Sequence, residues 1–479
     1  MEDFRQIQFG KADAQTEVEM FPNLLKEGYF DKDNLVESII HSPLFLFLGY
    51  KGAGKTALSE HLKLSCEDVT VSLMTLTDLP YKSFGKIISG DDEVELKSKF
   101  AWRWLLLVKV LYNLYKDNEA VISDNAKLRN VIDLFSKIGI FPVTEFSNLI
   151  TTTSSNRFKA EIKGFEYEHS FSRENASVSI MMLVDYLKEI ILSFKEEHQQ
   201  LIVIDGLDAI LTSREIQYIS IAALINEVKE LNALFAQNNV LVKIIVLCRT
   251  DIFERLPDPN KNKIRRDCSY SFNWYIEGAD NQNACGLIDI ANIRCKLKYP
   301  QIDNCLQHFL PSYYKGKETV SVLLDMTRHT PRDFLQLLGF IQKQCRTGNV
   351  SEMDITRGIN EYSSVYFLPE IKDEMVGYIP YQYVDSVVTL LGELHEREFY
   401  IKDIETTFIS MDLGKKIGME LRELMAILYE CSAVGNVYSY ADGRETRLSF
   451  KYRNRNSSFN PVNKVVLHRG LWKALNVNF

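Results

Sequence analysis

The chain has 479 residues, of which 46% are apolar and 25% are charged, and its formal net charge is −8. This length exceeds that of a typical single domain, and the composition is ordinary for a globular protein with a large core. An acidic charge overall disfavours general binding of polyanions, so contact with a nucleic acid would need a local basic patch.

The N-terminus and the cysteines predict a cytoplasmic protein. No apolar signal segment follows Met1, and no apolar stretch reaches the roughly 20 residues that a membrane span requires, so no membrane contact is expected. The eight cysteines form no C-x-x-C pair and no zinc-like cluster, and Cys285, Cys295 and Cys305 are interpreted as small buried residues. Reduced cysteines fit a reducing compartment.

Short apolar runs bounded by turn residues predict a parallel sheet that is buried on both faces. The predicted strands lie at 44–48, 69–74, 201–204, 240–247 and 270–274. Helical patterns separate them, at 33–41, 55–64, 97–115, 177–194 and 213–237. The stretch 80–200 is too long for a simple crossover, so it holds an insertion, with a small hairpin predicted at 158–171. Strands that alternate with helices predict an α/β fold with a doubly wound parallel sheet.

The C-terminal half of the chain has a different pattern. Residues 286–367 are predicted to be helical, with boundaries at Pro300, Pro311 and Pro331. Three helices follow, at 384–396, 401–409 and 415–430, and then two strands, 437–440 and 446–452, flank the hairpin signal Asp442-Gly443. Helices followed by a hairpin describe a winged helix. The predicted domains are a core over 1–280 with its insertion at 80–200, a helical lid over 281–375 and a winged helix over 376–479.

A glycine-rich motif lies between the first predicted strand and the next helix. Residues 49–56 match G-x-x-x-x-G-K-[ST] at every fixed position, which is the pattern of a phosphate-binding P-loop. Glycine lets backbone N–H groups approach phosphates, and the helix that starts near Lys55 adds the positive end of its dipole. Lys55 is predicted to reach the β- and γ-phosphates of a nucleotide, and Thr56 to bind Mg²⁺. The predicted binding residues are Gly49, Gly52, Ala53, Gly54, Lys55, Thr56 and Ala57. Lys51 is not a fixed position and is interpreted as a solvated loop charge.

Two aspartates follow the buried strand at 201–204. An aspartate at the carboxyl end of a strand beside the P-loop strand lies where Mg²⁺ needs a carboxylate, so Asp205 is predicted to bind the metal; the alternative is a turn residue. Asp208 is predicted to orient or deprotonate the attacking water, and its alternative role is that of a helix cap.

Two arginines are predicted to sense the phosphates. Arg249 follows the strand at 240–247, which would lie between the P-loop strand and the strand of Asp205; it either senses the γ-phosphate or forms a surface salt bridge. Arg332 follows Thr330-Pro331 at the start of a helix in the lid, where it could bridge to the γ-phosphate. Proline in a first helical turn is also ordinary structure.

These four elements together resemble the P-loop ATPases that have an extra strand between the P-loop strand and the aspartate-bearing strand, which include the AAA+, initiator and STAND classes. In this resemblance residues 49–56 are the Walker A motif and 201–208 the Walker B motif, while Arg249 and Arg332 occupy the sensor 1 and sensor 2 places. The order of core, lid and winged helix resembles archaeal-type replication initiators and STAND switches. Residues 9–17 resemble the start of a bacterial P-loop ATPase family, and several relatives of that general type appear in antiphage defence.

The chain departs from the AAA+ pattern in two places. Gly206 follows Asp205 where AAA+ proteins usually carry glutamate, so the resemblance implies slow hydrolysis. No arginine finger is evident, and Arg265 and Arg266 are candidates only by location. The guanine motif N-K-x-D is absent, which favours ATP over GTP.

The segment 444–473 is locally basic, with eight Lys or Arg residues and one acid, Glu445. This segment predicts contact with DNA phosphates; the alternatives are a solvated face or docking on an acidic part of the same protein. The mixed charge of the predicted recognition helix 415–430 argues against tight reading of the major groove.

The sequence therefore predicts a slow ATPase that binds ATP and Mg²⁺ and acts as a nucleotide-dependent switch or assembly platform. A homo-oligomer or an effector protein is the expected partner. The alternatives are a nucleotide-bound scaffold with little turnover and a DNA-binding winged-helix regulator.

Overall fold

The computed structural model describes residues 2–66, 68–76, 84, 87, 94–117, 126–143, 146–155, 176–193, 198–207, 215–276, 285–439 and 446–477. The chain forms two compact units. The sheet unit comprises Asp33–Gly49 and Leu58–Phe272, and the lid unit comprises Met1–Lys32, Tyr50–Ala57 and Asn273–Phe479. The turn of the P-loop thus belongs to the same unit as the C-terminal half of the chain.

The sheet unit is built on five parallel strands in the order β2-β3-β4-β1-β5. Their bounds are β1 Leu46–Gly49, β2 Val69–Thr75, β3 Gln199–Asp205, β4 Val242–Arg249 and β5 Ser269–Ser271. Successive residues of a strand point to opposite faces, and Leu46, Phe47 and Leu48 are all fully buried, so both faces of β1 are covered. The α/β P-loop fold and its five predicted strands are confirmed, and β4 lies between β1 and β3 as expected.

Helices accompany this sheet and occur in the insertion predicted at 80–200. The helices that begin in the sheet unit are α3 Leu35–His41, α5 Val94–Asp117, α6 Ala126–Lys137, α7 Phe146–Thr153, α8 Ala176–Ser193, α9 Glu215–Gln237, α10 Thr250–Arg255 and α11 Lys261–Cys268. Four of these described helices, α5 to α8, lie within the insertion. In α5, Trp102 and Trp104 are buried, and their indole N–H groups donate to Ser220 O at 2.9 Å and Thr153 Oγ1 at 3.2 Å. The hairpin predicted at 158–171 lies outside the described residues.

The lid unit is mainly helical up to residue 376. Its helices are α1 Ala14–Met20, α2 Pro22–Glu27, α12 Gly286–Lys296, α13 Cys305–Phe309, α14 Thr319–Asp325, α15 Pro331–Gln344, α16 Glu352–Glu361 and α17 Leu368–Val376, and a π-helical turn, Tyr362–Phe367, joins the last two. Helix α4, Lys55–Ser65, begins at the P-loop. The expectation of helix throughout 286–367 is wrong at one place. There β6, Tyr313–Tyr314, and β7, Lys317–Glu318, form a hairpin, because Lys315 and Gly316 both adopt positive φ.

A winged helix ends the chain. Its helices are α18 Tyr381–Gly392, α19 Ile401–Ser410, α20 Leu413–Ile417 and α21 Leu421–Glu430, and its sheet has the order β10-β9-β11-β8, formed by β8 Glu398–Phe399, β9 Val434–Ser439, β10 Thr446–Ser449 and β11 Lys464–Leu467. The single helix predicted over 415–430 is wrong. Gly418 at φ 71° caps α20 in the left-handed conformation, so α21 starts afresh. Asp442-Gly443 lies outside the described residues, but the two strands that flank it pair antiparallel.

Two further expectations concern the whole chain. All eight cysteines are free, and Cys285, Cys295 and Cys305 are buried, which confirms their interpretation as small core residues. Among the described residues, no helix combines the length and the apolar character that a membrane span requires.

Candidate functional site

The turn of the P-loop has the backbone that phosphate binding needs. The buried strand β1 ends at Gly49, and Gly52 and Gly54 then adopt φ of 81° and 100°, which an L side chain rarely allows. A Cβ atom on Gly54 would meet no atom within 4 Å, so open space adjoins this residue. Predicted binding residues Gly52, Ala53 and Gly54 therefore form a turn with two glycine-specific conformations and with open space beside Gly54.

Lys55, Thr56 and Ala57 form the first turn of α4, directly after that turn. Lys55 is only 7% exposed, and its ammonium group donates a hydrogen bond to the Tyr50 carbonyl oxygen at 3.2 Å. The lysine thus spans the loop from one end to the other. Since α4 begins at Lys55, the N–H groups of its first turn and the positive end of its dipole favour an anion at this end.

A tryptophan that the sequence reasoning missed supports the loop. The indole N–H of Trp274 donates to the Ala53 carbonyl oxygen at 2.9 Å, and Trp274 is 6% exposed. The Lys32 ammonium lies 5.1 Å from its ring centroid, and Gly286 leaves room for the ring, since a Cβ there would lie 3.0 Å from it. No pattern in the sequence marks a lone tryptophan 221 positions away as a partner of the P-loop.

Arg332 packs directly on the P-loop. Its backbone N–H donates to the Gly52 carbonyl oxygen at 3.3 Å, and a Cβ on Gly52 would lie 3.1 Å from Arg332 Cβ and 3.2 Å from Thr330 Oγ1. Thr330 caps α15 by accepting from Asp333 N, and Pro331 occupies the first turn. The predicted lid arginine is therefore held against the loop by its own backbone.

A buried ion pair stabilises this end of α15. Arg328 donates to both oxygens of Asp333, at 2.9 and 3.0 Å, and to Glu374 at 3.2 Å, while the Tyr366 hydroxyl donates to Asp333 at 3.0 Å. Burial by itself would raise the pKa of Asp333, but Arg328 and these hydrogen bonds lower it overall. Asp333 is therefore a charged anchor beneath Arg332.

The interpretation of Lys51 as a solvated loop charge is wrong. Its ammonium lies 3.1 Å from Glu370 and 3.6 Å from Asp373, both on α17, and its side chain is 23% exposed. Next to it, the Tyr50 hydroxyl donates to the Lys451 carbonyl oxygen of the winged helix at 3.4 Å. Tyr50, Lys51, Gly52 and Ala53 are thus four successive loop residues, and each contacts a different segment of the lid unit. Only the three-dimensional structure reveals these contacts, because positions 50 and 51 are variable in the motif.

In the sheet unit, Asp205 ends β3 and is partly buried. Its Oδ1 accepts from the Gly206 N–H at 2.7 Å, and Gly206 has a positive φ of 81°. Register pairs Phe47 with Leu247 and Ile204 with Val246, so Asp205 lies level with Phe47, two strands away. Neighbouring strands lie about 4.8 Å apart, which places these two backbones roughly 10 Å from each other at the carboxyl edge. Asp208 lies outside the described residues.

Arg249 ends β4, where it pairs in register with Gly49 of β1. Its guanidinium donates two hydrogen bonds of 2.9 Å to Asp251, two residues further on. This is the salt bridge that the sequence offered as the alternative to phosphate sensing. Of the two finger candidates, Arg265 is 15% exposed and bound to Glu254 at 2.5 Å, whereas Arg266 is 81% exposed and paired with Asp267.

Four of the eight basic residues in segment 444–473 form ion pairs with described acids of the lid unit. Lys451 pairs with Glu430 at 3.0 Å, Lys464 with Glu398 at 2.9 Å, and Arg453 and Arg469 both pair with Asp325, at 3.3 and 2.9 Å. Arg447 and Arg455 are exposed, and Arg444 lies outside the described residues. This arrangement favours docking on acids of the same chain, and contact with DNA stays a prediction.

No protein-family model and no curated protein matches the chain. Among solved structures it is similar to the Orc1 protein of Aeropyrum pernix in complex with DNA, at 12% identity over 96% of this chain and 95% of that chain, with a TM-score of 0.40. It is also similar to Cdc6p from Pyrobaculum aerophilum, at 13% identity over 91% of this chain and 88% of that chain, with a TM-score of 0.28. The P-loop fold of this chain is supported by the strand order of its own sheet.

Proposed function

We propose that this protein is an AAA+-like ATPase that binds ATP with Mg²⁺ at residues 49–56 and acts as a nucleotide-dependent switch. The observation that carries the proposal is the glycine turn with open space beside Gly54, which Lys55 spans by donating to the Tyr50 carbonyl. A turn of this form is what a triphosphate needs from a P-loop: inward backbone N–H groups, a lysine and a helix start.

The residues divide the work of binding as follows. The backbone N–H groups of residues 52–57 hold the phosphates, and Lys55 exchanges the Tyr50 carbonyl for the β- and γ-phosphates. The Thr56 hydroxyl and the Asp205 carboxylate would hold Mg²⁺, which would neutralise phosphate charge. Arg332 neutralises the charge that builds on the γ-phosphoryl group. Arg249 contributes to this once it is released from Asp251.

Hydrolysis is proposed to be slow. Asp208 orients the attacking water in this proposal, because Gly206 stands where AAA+ proteins usually carry an acid. A phosphate-release assay separates a slow ATPase from a scaffold that binds nucleotide without turnover. The ATPase is supported if the wild type releases phosphate and if Asp208→Asn slows this release while it still binds nucleotide.

The four contacts of the loop explain how its state could reach the rest of the lid unit. A bound phosphate moves the Lys55 ammonium away from the Tyr50 carbonyl oxygen. The hydroxyl of the same tyrosine donates to the Lys451 carbonyl oxygen in the winged helix. The lid (281–375) and the winged helix (376–479) are therefore the elements that we propose to respond to nucleotide and to present a changed surface to a second copy or an effector protein. A role in antiphage defence belongs to this proposal only through the resemblance of residues 9–17.

The test is Lys55→Ala, measured by isothermal titration with Mg·ATP. Loss of the ammonium should weaken ATP binding at least 100-fold, which corresponds to about 2.7 kcal/mol. Lys63→Ala is the matched control, since Lys63 lies on the same helix and is exposed, and it should bind like the wild type. ATP affinity that survives Lys55→Ala unchanged would overturn the proposal.

A further inference from the structure

One carboxylate of the lid unit lies among three cations. Glu370 Oε2 is 3.1 Å from the Lys51 ammonium, 3.7 Å from the Arg328 guanidinium and 4.0 Å from the Arg332 guanidinium. This oxygen is buried, and within the described part of the chain no donor makes a hydrogen bond to it. Its nearest cation is the Lys51 ammonium, and the two guanidinium groups lie farther away.

The position of Glu370 follows from an irregular helix. Pro369 lies in the first turn of α17 and has no N–H to donate to the preceding turn. The chain accommodates this residue with the π-helical turn Tyr362–Phe367, which is wider than an α-helical turn. Glu370 and Glu374, one turn apart on α17, then both contact Arg328.

The other partners of these cations show that Glu370 is not needed to neutralise two of them. Arg328 already has both oxygens of Asp333 and one of Glu374. Lys51 has a second carboxylate, Asp373, at 3.6 Å. Arg332 differs from both, because Glu370 is its one carboxylate partner among the described residues, and the separation is at the limit of an ion pair.

We propose that Glu370 determines how the site discriminates a nucleoside triphosphate from a diphosphate, an inference that rests on the proposed function. Without a nucleotide, its carboxylate is the anion that Arg332 faces. A γ-phosphate competes with the carboxylate for Arg332, whereas a diphosphate has no group in that place. Glu370 therefore weakens ATP binding and leaves ADP binding almost unchanged.

Glu370→Gln tests this while it preserves the shape of the side chain. Lys51 keeps Asp373, and Arg328 keeps Asp333 and Glu374, so both remain paired in the variant. We expect ATP affinity to rise about three- to fivefold, because one weak competing ion pair is removed, and ADP affinity to stay within about twofold. Both are measured by isothermal titration with Mg²⁺.

Two comparison variants make the result specific. Asp373→Asn removes a carboxylate of the same helix that contacts Lys51, is 68% exposed and has no ion pair with Arg332, so the ratio of ATP to ADP affinity should match the wild type. In an Arg332→Ala background, Glu370→Gln should bring no gain, because the residue acts through that guanidinium. A gain that persists without Arg332 would overturn the inference.

The outcomes separate this inference from the proposed function. If the wild type binds ATP, Lys55→Ala abolishes binding and Glu370→Gln leaves the ATP to ADP ratio unchanged, the function stands and the role of Glu370 is overturned. An equal rise for both nucleotides also overturns it. A wild-type protein that binds neither nucleotide overturns both.

Discussion

The end of β4 and the start of α15 each carry an arginine that the sequence predicts as a phosphate sensor, and their surroundings differ. Arg249 forms a bidentate pair with Asp251, only two residues away, at 2.9 Å for both bonds. Arg332 is held through its backbone on Gly52, and its guanidinium reaches a carboxylate only at 4.0 Å. The Arg249 charge is thus neutralised by a neighbour in sequence. The Arg332 guanidinium is positioned by tertiary packing and is only weakly paired.

This difference predicts unequal responses to a phosphate ligand. A hydrogen-bonded charge pair is worth about 1.5–3 kcal/mol, whereas a loose, partly exposed pair is worth at most about 1 kcal/mol. To bind Arg249, a γ-phosphate must break the strong Arg249–Asp251 pair. To bind Arg332, it must break only the loose Arg332–Glu370 pair. Two arginines that the sequence predicts as phosphate sensors therefore need not respond to a phosphate equally.

Gly52→Ala tests the Arg332 side of this comparison and should have the largest effect among the variants that compare the two arginines. A methyl group would lie 3.1–3.2 Å from Arg332 and Thr330, on a backbone at φ 81° that costs an L residue about 1–2 kcal/mol. We expect ATP affinity to fall about 30-fold in titrations. Gly418→Ala has a similar φ of 71° and open space around it, so it should lower stability without changing ATP affinity. Equal affinities of Gly52→Ala and the wild type would contradict the close packing.

Exchange of each arginine for alanine compares the two regions directly. Arg332→Ala should lower ATP affinity about tenfold, or roughly 1.4 kcal/mol, and Arg249→Ala by less than about threefold. Asp251→Ala sharpens the comparison, because it removes the pair that holds Arg249 and should strengthen ATP binding. Losses of equal size for the two arginines would show that the Asp251 pair does not restrain Arg249.

Acid should weaken the surroundings of Arg332. His329 precedes Thr330, and burial first, then repulsion by Arg453, lowers its pKa from 6.5 to about 3; burial and nearby arginines lower the pKa of His468 to about 3 as well. Well above pH 6.5 both histidines are neutral in the folded and the unfolded chain. As the pH falls from 6.5 towards 3, only the unfolded chain takes up these protons, so the free energy of unfolding decreases.

The expected loss between pH 6.5 and pH 5 is about 1.5 kcal/mol for each histidine, measured by urea denaturation. His329→Phe should remove about half of this difference, and the double variant with His468→Phe most of it. If the difference persists in the double variant, other groups cause the acid sensitivity.

The accuracy of the sequence predictions follows from the range of the interactions involved. The parallel strands, the P-loop and the end of β3 at Asp205 were predictable, because hydrophobic runs and glycine conformations are properties of a few adjacent residues. The break at Gly418 and the hairpin at Lys315-Gly316 are also local, and their glycines were signals that the helical pattern obscured.

The sequence by itself therefore determined that a P-loop exists, which strand precedes it and which residues form its turn. Only the tertiary structure decided what surrounds that turn: Trp274 on Ala53, Arg332 on Gly52, Glu370 near Lys51 and Lys451 near Tyr50. These partners lie more than 200 positions from the loop, and their contacts depend on how helices of the lid unit pack. A periodic pattern specifies which face of a helix is buried, but it does not specify which distant residue meets it.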